Sequence, residues 1–154
     1  MIEKDFYIHR LEADEIPIFW DQIKFAIGKV YELPENMANS IYTKALGELE
    51  AGNYQCFIKR RKDEGKTLLA LVITNMFLNK WTKIKTLNLT CLYAFIYSDI
   101  EGWRDFLDFV IEFSKQQGCS NITCESHVER VWEIALAIGF KESYRAFTLN
   151  LEDK

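Results

Sequence analysis

One stretch, residues 86–118, constrains the fold of this chain more than any other. It begins with TLNLTCLYAFIYS, whose alternating apolar side chains predict a β-strand. A short acidic turn, DIEG, follows, and WRDFLDFVIEFSKQQG then repeats its apolar residues at helical spacing. Residues 119–125 form a second, short strand pattern. We therefore predict a βαβ unit, in which the two strands lie parallel in one sheet.

The first strand of this unit, residues 82–97, changes character along its length. One set of alternate positions is apolar throughout and is predicted to share one face: Leu87, Leu89, Cys91, Tyr93 and Phe95. The other set begins polar and ends apolar: Thr86, Asn88, Thr90, Leu92, Ala94 and Ile96. Because successive side chains point to opposite faces of a strand, we predict that the end of this strand is buried on both sides.

The chain begins with a predicted strand and two predicted helices. Residues 5–11 alternate as a strand, and Pro17 and Pro34 mark the start and the end of an amphipathic helix. A second helix is predicted from near Glu35 to the stop signal at Gly52.

Two further strand patterns, residues 54–60 and 67–78, precede the βαβ unit. The joins are too short for crossover connections, so these strands are predicted to form an antiparallel meander with the strand at 82–97. The first join, 61–66, overlaps the basic run KRRK at 59–62, which acidic residues follow at once. We interpret this run as the solvated end of a hairpin rather than as a phosphate-binding patch.

The end of the chain predicts one more helix and one more strand. The spacing S-x-x-E of a capping box occurs at 98–101, before the helix of the βαβ unit, and again at 126–129. The last helix is predicted to end at Gly139. Residues 144–151, YRAFTLNL, alternate and predict a closing strand.

Composition excludes several classes of protein. Of the 154 residues, 49% are hydrophobic and 14% are aromatic, which is enough for one folded domain spanning 1–154. The net charge of −4 argues against a nucleic-acid partner. The sequence has neither a run long enough to span a membrane nor a signal-peptide pattern. We expect a cytoplasmic location with no membrane partner.

The cysteines and histidines do not predict a metal site. None of the four cysteines forms a C-x-x-C pair, and the two histidines lie far apart in sequence. Cys56 and Cys91 fall inside strand patterns, where a thiol acts as a small apolar core residue.

The order of elements, β-α-α-β-β-β-α-β-α-β, resembles the GNAT superfamily of N-acetyltransferases over nearly the whole chain. The sequence Ala137-Ile138-Gly139-Phe140 is also similar to the helix end of that family. The resemblance implies an α/β, GNAT-like fold, with a mixed twisted sheet of about six strands flanked by four helices, two on each face. It implies an acyl-CoA-dependent N-acetyltransferase with acetyl-CoA as cosubstrate, a small-molecule or peptide amine as acceptor, and no metal.

The resemblance also implies where acetyl-CoA binds. In that family the fourth and fifth strands splay apart, and the pantetheine arm lies in the gap along the fourth strand. The pyrophosphate rests on the following turn, because unpaired amides and the positive end of a helix dipole attract an anion. The cofactor-binding residues implied in this sequence are Phe95, Ile96, Tyr97, Gly102, Trp103 and Arg104.

Catalysis in that family is direct attack of the amine on the thioester, with a base for the amine proton and an acid for the thiolate. The catalytic residues that the resemblance implies are Glu125 and His127 as bases and Tyr144 as the acid. Ordinary structural roles are the alternatives: a solvated carboxylate, a residue of the first helical turn, and a core tyrosine. Cys124 is not expected to act as a nucleophile, since the family mechanism needs none.

The turn after the fourth strand departs from the family pattern Q/R-x-x-G-x-G/A. Tyr97 and Ile100 occupy its first two specified positions, and only Gly102 matches. Asp99 and Glu101 place two carboxylates at the helix N-terminus, where they compete with a pyrophosphate for the amides and the dipole.

The position of the family's catalytic tyrosine, four residues before Gly139, is Ala135 in this sequence. This departure and the acidic turn keep a second hypothesis open: an inactive GNAT-like binding or structural module without acyl-CoA. The gap between the fourth and fifth strands separates the two hypotheses. An open gap beside 95–97 favours the enzyme, and a closed pair, or a gap filled by Trp103, favours the module.

Two other groups of residues have more than one interpretation. Tyr31, Glu32 and Tyr42, near the join of the first two helices, would line an acceptor site or serve as ordinary core and surface residues. Trp81, on a turn, would mark the face of a homodimer, although a lone exposed aromatic residue is usually incidental.

Overall fold

The computed structural model describes residues 5–62 and 68–153. Within these residues, five strands form one mixed sheet in the order β1-β2-β3-β4-β5. The strands are β1 (Phe6–Arg10), β2 (Tyr54–Arg61), β3 (Leu68–Leu78), β4 (Lys85–Ala94) and β5 (Asn121–Cys124). The helices are α1 (Ile16–Tyr31), α2 (Glu35–Glu50), α3 (Ile100–Gln116) and α4 (Glu129–Ile138), and a 3₁₀ turn (Leu151–Asp153) follows them.

The pairing of the strands confirms the predicted meander and the predicted βαβ unit. Strands β1 to β4 pair antiparallel with their neighbours, and β5 pairs parallel with β4. Helix α3 connects these last two strands, as a crossover between parallel strands requires. The predicted join at 61–66 falls largely at residues 63–67, outside the described residues.

The sheet separates two apolar cores, which confirms two helices on each face. On one face, α1 and α2 pack on Cys56, Ile58 and Leu71. On the other, α3 and α4 pack on Phe57, Val72 and neighbouring residues of the sheet. The apolar stripe predicted for α3 is Trp103, Phe106, Phe109, Val110 and Phe113. Trp103, Phe106 and Val110 are buried in that second core and Phe113 packs against it, but Phe109 is exposed.

Strand β4 contains a β-bulge that its sequence pattern hides. Ile73 of β3 lies opposite Cys91, but the next residue, Thr74, lies opposite Leu89, so Thr90 is an extra residue in β4. The extra residue inverts the alternation, so the single apolar face predicted for 87–95 is wrong. Residues Leu87 and Leu89 belong to the α3 core, whereas Cys91 belongs to the α1 core.

The predicted closing strand at 144–151 is wrong, and the sheet has five strands rather than about six among the described residues. Residues 141–150 form no strand and are exposed. Alternation marks a segment that can adopt an extended conformation, but a strand also needs the backbone of a neighbour. The apolar side chains of this segment remain in solvent: Tyr144, Phe147, Leu149 and Leu151.

The described residues contain neither a candidate membrane-spanning helix nor a cluster of potential metal ligands. No helix in 5–62 or 68–153 is long and apolar enough to cross a membrane. In the same part of the chain, no three or more His, Cys, Asp or Glu residues are grouped so that they could hold a metal ion.

Candidate functional site

The pairing between strands β4 and β5 ends after four positions. Thr86 lies opposite Asn121 at one end of the pairing, and Leu89 lies opposite Cys124 at the other. Strand β4 continues to Ala94, while β5 ends at Cys124. Among the described residues, the β5-facing edge of 90–94 therefore has no strand partner. We call the space between this edge and the residues that follow β5 the gap.

The bulged residue lies at the point where this gap begins. The Thr90 hydroxyl donates a hydrogen bond of 2.9 Å to the Ile73 carbonyl of β3. The Tyr31 hydroxyl, at the end of α1, donates a hydrogen bond of 2.6 Å to the Thr90 carbonyl. Two hydroxyl groups thus fix the backbone of β4 where it leaves β5.

The N-terminus of α3 lies just beyond the end of β4, and it is capped by its own sequence. Asp99 is the N-cap residue, and its Oδ1 accepts a hydrogen bond of 2.8 Å from the Gly102 amide. The capping box predicted at 98–101 is therefore wrong by one residue, since the Ser98 hydroxyl donates instead to the Asp99 carbonyl. Aspartate and serine cap equally well, so the sequence does not decide between adjacent ones. The box predicted at 126–129 is also wrong, because α4 has no side-chain cap.

A cavity of about 150 Å³ lies beside this helix end and is lined by two cationic residues of β2. Lys59 is only 8% exposed, and its Nζ lies 4.1 Å from the centre of the Phe6 ring. Arg61 lines the same cavity. The interpretation of 59–62 as a solvated hairpin end is therefore wrong for Lys59.

The alternation of side chains between the two faces of β2 explains why Lys59 and Arg61 lie on the face covered by α3. Phe57 is buried in the α3 core, and residues two and four positions later lie on the same face of the strand. This signal is in the sequence, but it becomes useful only once the face covered by α3 is known.

Gly102 lets the Ser98 hydroxyl lie close to the N-terminus of α3. A Cβ atom at this position would collide with the Ser98 hydroxyl and would lie 3.5 Å from the Lys59 Nζ. Trp103 follows it, is 5% exposed, and stacks on Phe106 with 6.1 Å between ring centres.

Arginine residues join this region to α4. The Arg130 Nη2 donates to the Tyr97 hydroxyl and the Ser98 carbonyl, both at 3.2 Å. The Arg104 Nη2 donates to the Ala137 carbonyl at 3.0 Å, and its Nε lies 3.3 Å from the Glu101 carboxylate. Arg130 therefore places a cation at the turn after β4, and Arg104 binds one carbonyl in the last turn of α4.

The six residues that the family resemblance assigned to acetyl-CoA fall into two groups. Four of them line the cavity at the start of α3: Ile96, Tyr97, Gly102 and Trp103. The other two lie elsewhere. Phe95 packs on the α1 face, with 5.0 Å between its ring centre and that of Tyr93, and Arg104 binds α4.

The structure brings together two of the three residues proposed for catalysis. Glu125 directly follows the last residue of β5, at the mouth of the gap, and its carboxylate accepts a hydrogen bond from the Tyr144 hydroxyl. This hydrogen bond raises the pKa of Tyr144, because it stabilises the neutral phenol beside a carboxylate. His127 is exposed, two residues further along and before the start of α4.

Cys124, which precedes Glu125, is held as a neutral thiol. Burial, and then the charge of Glu125, raise the pKa of Cys124 to about 11. Because the thiolate is the nucleophilic form, this cysteine is poorly suited to covalent catalysis.

Sequence reasoning missed three residues near the N-terminus of α3: Lys59, Arg61 and Arg130. They come from β2 and α4, which lie far from the turn in sequence. No local pattern in the sequence indicates that Arg130 would contact the turn.

No protein-family model matches the sequence, and no curated protein matches it. Solved structures do match. A probable acetyltransferase superposes with a TM-score of 0.75 at 13% identity, over 96% of this chain and 99% of that chain. A predicted acetyltransferase from Clostridium acetobutylicum, solved with acetyl-CoA, gives a TM-score of 0.73 at 15% identity, over 97% and 98% of the two chains.

A third match is an aminoglycoside acetyltransferase from an uncultured soil metagenomic sample, solved with sisomicin. It gives a TM-score of 0.72 at 12% identity, over 96% of this chain and 97% of the other. At such low identity these likenesses show the fold alone. The fold is that of the acetyltransferases, as the GNAT resemblance predicted.

Proposed function

We propose that this chain, which has the fold of the GNAT acetyltransferases, is an acyl-CoA-dependent N-acetyltransferase. The observation that carries the proposal is the end of the β4–β5 pairing at Leu89 and Cys124, beyond which β4 continues to Ala94. Residues 91–94 offer a strand edge without a strand partner there, and a strand edge presents amides and carbonyls that an extended ligand can pair with.

The residues around the gap fit acetyl-CoA. The edge of β4 would hold the pantetheine arm, and the turn after β4, with Gly102, would hold the pyrophosphate. Lys59 lines the adjoining cavity and Arg130 binds the turn, so cations offset the carboxylates of Asp99 and Glu101. Acetyl-CoA, when bound, supplies the thioester that an amine attacks.

The proton of the attacking amine would pass to Glu125. Glu125 directly follows β5, where the pairing with β4 ends. Tyr144 is held next to the Glu125 carboxylate as a neutral phenol, which is the form that can donate a proton. His127 is the alternative base, and it lies on the same connection between β5 and α4.

The acceptor would be a small-molecule or peptide amine. Related folds include an aminoglycoside acetyltransferase solved with sisomicin and a ribosomal-protein-alanine N-acetyltransferase. A cytoplasmic location fits the four free cysteines of this chain. We also propose a homodimer, which light scattering after size-exclusion chromatography would detect.

One observation favours a second function, a binding module that has lost acyl-CoA. The Asp99 carboxylate already occupies the Gly102 amide, which is one of the donors that a pyrophosphate would use. Such a module would keep the fold and the gap but would not bind the nucleotide.

Calorimetry with acetyl-CoA at low salt tests the proposal, with CoA measured in parallel. We expect binding in the range of about 10–100 μM, which corresponds to about 5–7 kcal/mol. The absence of binding at millimolar acetyl-CoA would contradict the enzyme and leave the binding module as the better function.

A further inference from the structure

A single long-range hydrogen bond connects α1 to the gap. Tyr31 is the last residue of α1, and its hydroxyl donates to the Thr90 carbonyl at 2.6 Å, although the two residues are 59 positions apart. No pattern in the sequence predicts this contact, because the Tyr31 hydroxyl donates to a backbone carbonyl at the bulge.

The Thr90 carbonyl has a special position in the sheet. Thr90 follows the last residue of β4 that pairs with β5, and it is the extra residue of the bulge between β3 and β4. A bulge leaves its extra residue outside the regular ladder, so the peptide groups there depend on other partners. Tyr31 supplies one, and the Thr90 hydroxyl ties the same residue to Ile73.

We propose that Tyr31 is a positioning residue for the acyl-CoA substrate. By holding the Thr90 carbonyl, Tyr31 fixes the bulge and thereby aligns the free edge of 91–94 against which the pantetheine arm would lie. This inference rests on the proposed function and adds to it a residue that does not itself touch acetyl-CoA.

The location of Tyr31 also ties the gap to the join between α1 and α2. Glu32, the next residue, adopts a left-handed conformation with φ of 49°, so the chain leaves α1 sharply at this point. The hydrogen bond of Tyr31 therefore holds both the end of α1 and the start of the gap in one arrangement.

The test compares Tyr31→Phe with Tyr7→Phe, a matched control. Each variant loses one hydroxyl from a half-exposed tyrosine, but Tyr7 lies on β1, at the opposite edge of the sheet from β5. For each protein, calorimetry gives the dissociation constants of acetyl-CoA and of adenosine bisphosphate, the part of CoA that lacks the pantetheine arm.

We expect Tyr31→Phe to weaken acetyl-CoA binding about tenfold, the effect of losing one hydrogen bond, and to leave adenosine bisphosphate binding unchanged. Hydrogen exchange of the amides in 91–94 should quicken by a similar factor, with no change in Tyr7→Phe. A second variant, Thr90→Val, removes the hydrogen bond to Ile73, keeps a β-branched side chain and should weaken acetyl-CoA binding in the same selective way.

Equal acetyl-CoA binding by wild type and Tyr31→Phe would overturn this inference alone. Equal weakening of both ligands would also overturn it, because a merely structural role loosens the whole site. If the wild-type protein binds no acetyl-CoA, the proposed function fails first and this inference fails with it, so the two failures are distinguishable.

Discussion

The Asp99 carboxylate accepts a hydrogen bond from the amide of Gly102, with 2.8 Å between Oδ1 and N. The side chain that starts α3 thus occupies a donor at the helix end where a phosphate would bind. Capping and phosphate binding compete at this amide, and their competition can be measured.

Replacing Asp99 with Asn should separate the two effects. Asparagine caps a helix as well as aspartate does but carries no charge, so the free energy of unfolding should stay within about 0.5 kcal/mol. Loss of about 1 kcal/mol of repulsion should tighten acetyl-CoA binding about fivefold at low salt. Asp99→Ala is the control, with a loss of about 1 kcal/mol in urea denaturation. Unchanged or weaker acetyl-CoA binding by Asp99→Asn would contradict a pyrophosphate at this helix end.

Lys59→Met should weaken acetyl-CoA binding about tenfold, since a largely buried cation beside the cavity interacts strongly with an anion. Methionine keeps the apolar stem, and loss of the contact with the Phe6 ring should cost about 1 kcal/mol of stability. Lys80→Met, on the exposed turn between β3 and β4, is the matched control. Equal binding by the two variants would remove Lys59 from the site.

Glu125→Gln should lower kcat about a hundredfold and leave the dissociation constant of acetyl-CoA unchanged, because the amide cannot accept the proton of the amine. The measurement is steady-state kinetics with an accepted amine, together with calorimetry. His127→Gln serves as the comparison on the same connection. A large loss in His127→Gln and none in Glu125→Gln would assign the base to His127.

The pKa of Tyr144 should fall in Glu125→Gln, because the hydrogen bond that raises it is made to a carboxylate. The hydrogen bond favours the neutral phenol. Its contribution to stability is therefore present below the ordinary pKa of tyrosine and is lost as the pH rises through the raised value. Ultraviolet titration of tyrosinate checks this, with Tyr144→Phe used to identify the signal. An identical titration in Glu125→Gln would show that the two side chains are apart in solution.

Cys124→Ser should retain activity. With a pKa of about 11 for Cys124, only about one thiol in ten thousand is ionised at neutral pH. An alkylating reagent should accordingly react slowly with Cys124 at neutral pH and faster as the pH approaches that value. Loss of activity in Cys124→Ser, with normal folding by circular dichroism, would point to a covalent mechanism instead.

The sequence predicted the order of the elements through β5 and α4, and the amphipathic character of α1 and α3, because hydrophobic periodicity records that one side of an element is buried. It could not place the bulge. The extra residue at Thr90 leaves one weak sign in the sequence. The even-numbered positions of β4 change from polar, at Thr86 and Asn88, to apolar, at Leu92 and Ala94.

The candidate site was predictable only where its parts are local. The strand–turn–helix of β4 and α3 can be read from consecutive residues, and Gly102 was found this way. Lys59 and Arg130 join the site through the pairing of β2 and the packing of α4, which no local pattern records. The closing strand failed for the related reason that strand formation depends on a neighbouring backbone.

The bulge at Thr90 also changes how β4 must be aligned with a strand that has no bulge. Relative to a strand without a bulge, every residue of β4 after Thr90 is displaced by one position, and its side chain changes face. An alignment that opens no gap there equates Tyr93 with a residue from the opposite side of the sheet. A sequence comparison with such a strand should therefore place a one-residue insertion at Thr90, because without it the residues that border the gap are matched one position out of register.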